Sequence, residues 1–256
     1  MHEILKRLST SSFVLDLGCA SGSFAQENTA ATVVRFDREP ARSAPRQFVQ
    51  GDAAKLPFAD ATFAAVISNH SLEHFEELDG ALREIGRVLR SDGALFVAVP
   101  DASTFTDKLY RSLAKGGGHV NPFTSARDLA GRIERVTGLR HLATRTLYSS
   151  LSFLNSRNSP RPRPRRLMLL GGGAEWTLFL YAWFSRRLDR WLGSRISVYG
   201  WALYFSRESF PIDTDPWPNV CLRCGGGTPR SMLPKARVYR CPYCGAMNPL
   251  AASAGF

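Results

Sequence analysis

Nine residues near the start of the chain, Val14-Leu15-Asp16-Leu17-Gly18-Cys19-Ala20-Ser21-Gly22, constrain the fold more than any other segment. The apolar run at residues 13–15 reads as a buried strand that ends in a carboxylate and then breaks into small residues. Small residues after a strand let backbone approach a ligand closely, because glycine lacks the Cβ that would block it. The stretch from Ser23 is expected to open a helix whose free N–H groups point into the same crevice. A chain that begins this way is predicted to build an α/β sheet with a ligand crevice at its strand ends.

Two kinds of nucleotide cofactor use such a turn. A dinucleotide site needs G-x-G-x-x-G, so that pyrophosphate can sit on a helix N-terminus. Here the small residues are Gly18, Ala20 and Gly22, and Asp16 at the strand tip repels pyrophosphate while suiting an ammonium or sulfonium charge. The segment resembles the first motif of the class I S-adenosylmethionine-dependent methyltransferases of type 11, whose D-x-G-x-G-x-G reads Asp16, Gly18, Ala20, Gly22. Ala20 departs from that pattern by one methyl group. A dinucleotide oxidoreductase is the alternative.

The resemblance continues in order over about residues 12–147. Residues 32–36 form a β-rich run ending at Asp37, where the family places an acid that accepts from both ribose hydroxyls. Residues 47–50 read as a third strand leading into Gly51-Asp52-Ala53, where relatives read the adenine edge with an Asp and the next N–H. Residues 58–68 resemble the D-x-S-F-D strand that follows, with Ala64 where a second Asp is common. A helix at about 76–89, a turn at Ser91-Asp92-Gly93 and a strand at 94–99 complete the series. The donor-binding set that the resemblance implies is Asp16, Gly18, Cys19, Ala20, Gly22, Asp37, Arg38, Asp52, Ala53 and Asn69. Residues 197–205 resemble the last strand of the family's sheet, which runs antiparallel to the rest.

The formal charge of +11 is unevenly placed. Residues 157–207 hold ten Arg, no Lys and two acids (Glu175 and Asp189), so most of the surplus sits there and the preceding core is near neutral. Concentrated Arg can meet phosphate of RNA or of anionic lipid, whereas Arg-Pro-Arg-Pro-Arg-Arg at 161–166 also reads as a stiff solvated linker. Beyond it, Trp176, Phe179, Leu180, Trp183, Phe184, Leu188, Trp191 and Leu192 recur at helical spacing, with Gly193 as the stop. Glu175 and three glycines argue against a membrane span. The helix is expected to be either a lid over an acceptor pocket or an interfacial helix on a membrane. Residues 1–10 contain no apolar signal region, so a cytoplasmic protein is expected, with peripheral membrane contact.

Cys221-x-x-Cys224-Gly and Cys241-x-x-Cys244-Gly, sixteen residues apart, have the spacing of a four-thiolate zinc ribbon. With all four positions thiolate the zinc would be structural; iron in the same set, or disulfides, are the rivals. The expected fold is therefore α/β: a Rossmann-like, mostly parallel seven-stranded sheet with helices on both faces, an amphipathic helical insertion before the last strand, and a small C-terminal zinc ribbon. The methyltransferase domain is placed at 1–207, with the insertion at about 150–196, and the ribbon at 208–256.

Methyl transfer needs an aligned acceptor and, for oxygen or nitrogen, a proton acceptor. Candidate bases are His70 and His74, with Glu73 beside them, and His119, which the sequence favours from its Gly-rich loop. Asn69-His70-Ser71-Leu72 stands where an Asn-Pro-Pro-Tyr tetrapeptide would mark amino methylation of planar bases. The expected acceptor is a small molecule or a lipid- or glycan-linked group. The alternatives are an RNA or protein methyltransferase docked by the Arg-rich arm and ribbon, and a catalytically idle binding module.

Overall fold

The computed structural model describes residues 1–20, 22–40, 47–105, 107–108, 111, 119–148, 175–208, 219–221, 227–228, 231, 233 and 238–249. Ser21, Cys224, the 161–166 linker and most of the expected insertion before residue 175 lie outside them.

Seven strands form one sheet: β1 (Phe13–Leu17), β2 (Thr32–Asp37), β3 (Phe48–Gln50), β4 (Phe63–Asn69), β5 (Leu89–Pro100), β6 (Arg140–Tyr148) and β7 (Val198–Ser206). Their order is β3-β2-β1-β4-β5-β7-β6. The pairs among β1 to β5 are parallel, and β7 runs antiparallel between β5 and β6. Strand order reverses between β1 and β4, so the crevice beyond their carboxyl ends is where an open α/β sheet binds ligand.

Side chains alternate between two cores, as a period of two requires. Val66, Leu95, Val97 and Val99 face one side, where α2 (Leu78–Val88) and α3 (Ala126–Thr137) bury Leu78, Leu82, Ile85, Leu129 and Ile133. Ser125 caps α3 by accepting from the Asp128 N–H, and Gly138, at φ 72°, ends it. Ala65, Ile67, Ala94, Phe96 and Ala98 face the other side.

Among the described residues, that second face is covered mainly by the two ends of the chain. The helix in its buried cluster is the four-residue α1 (His2–Leu5), which contributes Ile4 and Leu5 alongside Met1. Cys221, Cys241 and Ala246 from the far end of the chain fill the same cluster. Two short hairpins carry those cysteines: β8 (Asn219–Val220) with β9 (Gly227–Thr228), and β10 (Val238–Arg240) with β11 (Met247–Pro249). The Tyr243 ring stacks on His2 at 3.9 Å, and its hydroxyl accepts from Lys6 Nζ at 3.0 Å.

Burial, then the neighbouring Met1 amino group, lowers His2 to about 3, so this imidazole stays neutral in the fold. The unfolded chain takes up a proton below about pH 6.5, and stability therefore falls as pH drops from there toward 3. From pH 7 to 5 this one group is expected to remove about 2 kcal/mol. His2→Phe, which keeps the stack on Tyr243, is expected to erase that slope in urea titrations; an unchanged slope would place the effect elsewhere.

Two expected local elements are corrected. No α-helix stands between Gly22 and β2; a single 3-10 turn, Gln26–Asn28, takes its place. The Ser23 N–H donates to Asp16 Oδ2 at 2.9 Å instead of opening a helix, and only nine residues separate Gly22 from β2. Ser91-Asp92-Gly93 is not a free turn but part of β5, where pairing jumps from Phe63↔Leu89 to Ala65↔Ala94. The extra β5 residues bulge out of the ladder at that shift.

The amphipathic segment is α4 (Glu175–Leu192), and Gly193 follows it at φ 62°. Asp189 stops the chain beyond it by accepting from Ser194 Oγ and from the Ile196 and Ser197 N–H groups. No described helix is long and apolar enough to cross a membrane.

Candidate active site

A cleft of about 650 Å³ opens at the carboxyl ends of β1 to β4. Its floor is the turn after β1. Gly18 and Cys19 donate their N–H groups to Phe36 O at 2.8 and 3.1 Å, and this folds the turn over the end of β2. Gly18 takes φ 68°, and a Cβ there would lie 2.3 Å from Ser71 Cβ. Ser71 locks the opposite wall, its hydroxyl donating to Leu17 O at 2.9 Å and sharing a 2.6 Å hydrogen bond with Ser68.

Asp16 lies beneath that floor, fully buried. Burial raises its pKa, against the Ser23 hydrogen bonds and Arg35, whose Nη1 is 3.9 Å away. Asp16 Oδ1 is a buried acceptor with no hydrogen bond among the described residues. Gly22 is needed for Arg35: a Cβ would fall 1.7 Å from its Nη1. Arg35 in turn donates to Phe24 O at 2.9 Å. Cys19 is buried, and burial followed by Asp16 and Asp37 pushes its thiol up to about 12, so it is a packing residue without thiolate character.

Of the expected donor-binding residues, Gly18, Ala20, Asp37, Arg38, Asp52 and Ala53 line the cleft, whereas Asp16, Cys19 and Asn69 are buried outside its lining and Gly22 is half-buried outside it. Asp37 ends β2 and accepts from the Ala20 N–H at 2.7 Å and the Glu39 N–H at 3.0 Å. Asp52 accepts from the Ala54 N–H at 2.9 Å, an Asx turn that shapes the segment after β3. Arg38 pairs with Glu76 at 2.8 Å, joining two lining residues.

Ala20 sits at φ 45°, where a side chain costs roughly 1–2 kcal/mol. The methyl group that departs from the family pattern is thus strained. Ala20→Gly is expected to raise stability by about 1 kcal/mol, measured as a shift of the urea midpoint with an unchanged slope. A loss of stability would mean that the methyl makes a compensating contact.

The three candidate bases converge beyond β4 but not on one surface. His70 lines the cleft with its backbone at φ 58°, a strained conformation held by its N–H donating to Ala98 O at 2.9 Å, and its ring meets Tyr199 edge-on at 5.3 Å. His74 also lines the cleft, while His119 stands behind it with ring centroids 5.1 Å apart. His119 Nδ1 lies 3.0 Å from Asp107 Oδ1. Glu73 is buried beside them, and desolvation pushes its carboxyl up to about 8. Sequence reading missed Asp107, Ser71 and Arg35, none of which carries a local motif.

At the far end, Cys221, Cys241 and Cys244 bring their sulfurs within 4.8 Å of one another, Cys221 and Cys244 at 3.6 Å. Sulfurs bound to one zinc at about 2.3 Å stand about 3.8 Å apart, so these three fit such an ion and are too far apart for a disulfide. Asn248 Nδ2 donates to Cys221 Sγ at 3.3 Å.

Residues 15–97 match the family described as Methyltransferase domain. The malonyl-[acyl-carrier protein] O-methyltransferase of Methylococcus capsulatus is 32% identical over 182 residues, 60% of this chain and 66% of that protein. The mitochondrial arginine-hydroxylase NDUFAF5 of Danio rerio is 30% identical over 132 residues, 45% of this chain and 41% of that protein. The chain thus spans between about two fifths and two thirds of the length of these relatives. A SAM dependent methyltransferase from Archaeoglobus fulgidus superposes with a TM-score of 0.55 at 15% identity, over 79% of this chain and 88% of that one. Sheet order, the antiparallel β7 and the matched residues together identify a Rossmann-like class I methyltransferase fold with a methyltransferase domain at residues 15–97.

Proposed function

We propose that the protein is an S-adenosylmethionine-dependent methyltransferase acting on an oxygen or nitrogen of a small-molecule, lipid-linked or glycan acceptor. The cleft floor carries this reading: the turn at Gly18 leaves no room for a side chain, with the buried, incompletely bonded carboxylate of Asp16 below it. When bound, S-adenosylmethionine supplies an activated methyl group on a sulfonium. Gly18 to Ala20 would hold its amino-acid end over Asp16, Asp37 its ribose, and Asp52 with Ala53 its adenine. His70, which lines the cleft with its backbone at φ 58°, would take the acceptor's proton. In this reading His119, which is not among the residues lining the cleft, does not serve as the base.

Incubating the purified chain with methyl-labelled S-adenosylmethionine and separated cell fractions tests the reading. Label entering lipid or small metabolites is expected. Label confined to RNA or protein would favour a macromolecular acceptor, and failure to bind the donor at millimolar concentration would favour an idle binding module.

The reading extends to partners through α4. Trp176, Leu180, Phe184 and Trp191 are exposed along one stripe, with Trp191 at 73%, and the Arg187 guanidinium lies over the Trp183 and Trp191 rings at 4.6 and 5.9 Å. Aromatic rings with Arg suit an anionic lipid surface better than a buried lid seam. Trp176→Ala with Trp191→Ala is expected to cut co-sedimentation with phosphatidylserine vesicles at least severalfold; unchanged sedimentation would remove the membrane from the proposal. Residues 208–256 would form the zinc ribbon, with Cys224 as fourth ligand to Cys221, Cys241 and Cys244.

A further inference from the structure

We infer that Glu73, His74 and His119 form a divalent-cation site on the acceptor side of the cleft, with Asp107 orienting His119. One ligand atom from each of the three lies within 4.8 Å of the others. Two imidazoles and one carboxylate are a donor set that first-row divalent ions take, with coordination positions left open. Glu73 is only 2% exposed, and its Oε2 has no hydrogen bond among the described residues. A carboxyl oxygen placed so deeply without a donor is costly unless the group takes a proton or a cation meets it.

The surroundings are those of a ligand set rather than of a chance cluster. Glu73 and His74 come from the tight turn Leu72–His74, directly after β4. The Asn121 side chain donates to Leu72 O at 3.1 Å and Phe75 O at 2.7 Å, and its own N–H donates to Glu73 O at 3.0 Å. Those three bonds clamp the segment carrying His119 onto the turn. The Asp107 carboxylate on His119 Nδ1 fixes the tautomer that leaves Nε2 as the electron-pair donor, the usual support of a metal-bound imidazole. Arg111 Nε holds the other Asp107 oxygen at 2.7 Å.

His74 lines the cleft, so an ion held here presents its open side to whatever occupies the acceptor end. There it would bind an acceptor oxygen directly and favour its deprotonated form. That orientation rests on the methyltransferase reading; the binding of the ion does not.

Cobalt(II) titration of the full chain, followed by visible absorption, separates this site from the cysteine cluster, because only the latter gives intense sulfur-to-metal bands. The expected result is a cobalt ion with weak ligand-field bands alone, lost in His74→Ala and in Glu73→Gln. Asp107→Asn should weaken its binding by roughly 10–100-fold without removing a ligand. Thermal unfolding checks that the variants fold, and His74→Ala changes an exposed side chain, so it carries the test if Glu73→Gln does not fold. Absence of the weak-band species in the parent chain, or its persistence in His74→Ala, would overturn the inference. Calorimetric S-adenosylmethionine binding is measured in parallel: its failure with cobalt uptake intact counts against the methyltransferase reading alone, and the converse counts against the cation site alone.

Discussion

Gly18→Ala is expected to destabilise the protein by roughly 2–5 kcal/mol and to abolish donor binding. Two costs combine. A side chain at φ 68° is strained, and its Cβ would stand 2.3 Å from Ser71 Cβ. Ser71 cannot withdraw cheaply, because its hydroxyl bonds both Leu17 O and Ser68 and so ties β4 to β1. Gly131→Ala serves as a matched control. Gly131 lies inside α3 with nothing near its missing Cβ, so the same substitution there is expected to stabilise by about 1 kcal/mol. Urea unfolding of both variants, with calorimetry on S-adenosylmethionine, checks the pair. Equal effects of like sign would show that the Gly18 turn is not the rigid floor described.

The second large effect lies across the sheet. Arg145→Met is expected to cost about 3 kcal/mol at neutral pH, because it strands the buried carboxylate of Glu3. Arg145 Nη1 reaches Glu3, and the Met1 amino group holds the other Glu3 oxygen at 3.0 Å, which keeps the loss near the lower end for a broken buried pair. Burial alone would raise Glu3, but the Met1 amino group and then Arg145 hold it at about 2. A carboxylate depressed in this way stabilises the fold above its unfolded value of about 4.5, and the gain is lost as pH falls toward 2. Adding Glu3→Gln to Arg145→Met is expected to recover part of the stability, the buried Met1 amino group then lacking its counter-charge, and to flatten this acid limb. A double variant no better than the single one would show that Arg145 acts through Tyr204 packing instead.

Legibility in the sequence followed the range of the forces involved. β1, β4 and β7 were readable because buried strands are largely apolar runs with turn residues at their ends. α4 was readable because eight large apolar residues recur at helical spacing and Gly193 marks its stop. The missing helix after Gly22 was not, since the Ser23 N–H goes to Asp16, a partner seven residues back that outweighs a weak local propensity. The run Ser91-Asp92-Gly93 has turn composition, and it bulges from β5 between the paired residues Leu89 and Ala94, a register shift that local composition does not reveal. At the site, Asp37 and Asp52 were legible by their place at strand ends. Asp107 was not, because the His119 loop that meets it is held in place by Asn121 bonding to residues 72–75, far away in sequence. Which side of α4 is exposed was equally hidden, since amphipathicity names the seam without naming its partner.

The cluster that joins α1 to the cysteine hairpins has a temporal consequence. Lys6 and Tyr243 are 237 positions apart, so that face of the sheet stays uncovered until the last hairpin emerges from the ribosome. At roughly 5–20 residues per second this interval is on the order of ten seconds or more. For that time the growing chain presents Ile4, Leu5, Phe96 and their neighbours to solvent, and ribosome-associated chaperones should find their target on this face, while the donor cleft on the earlier strands can already be assembled.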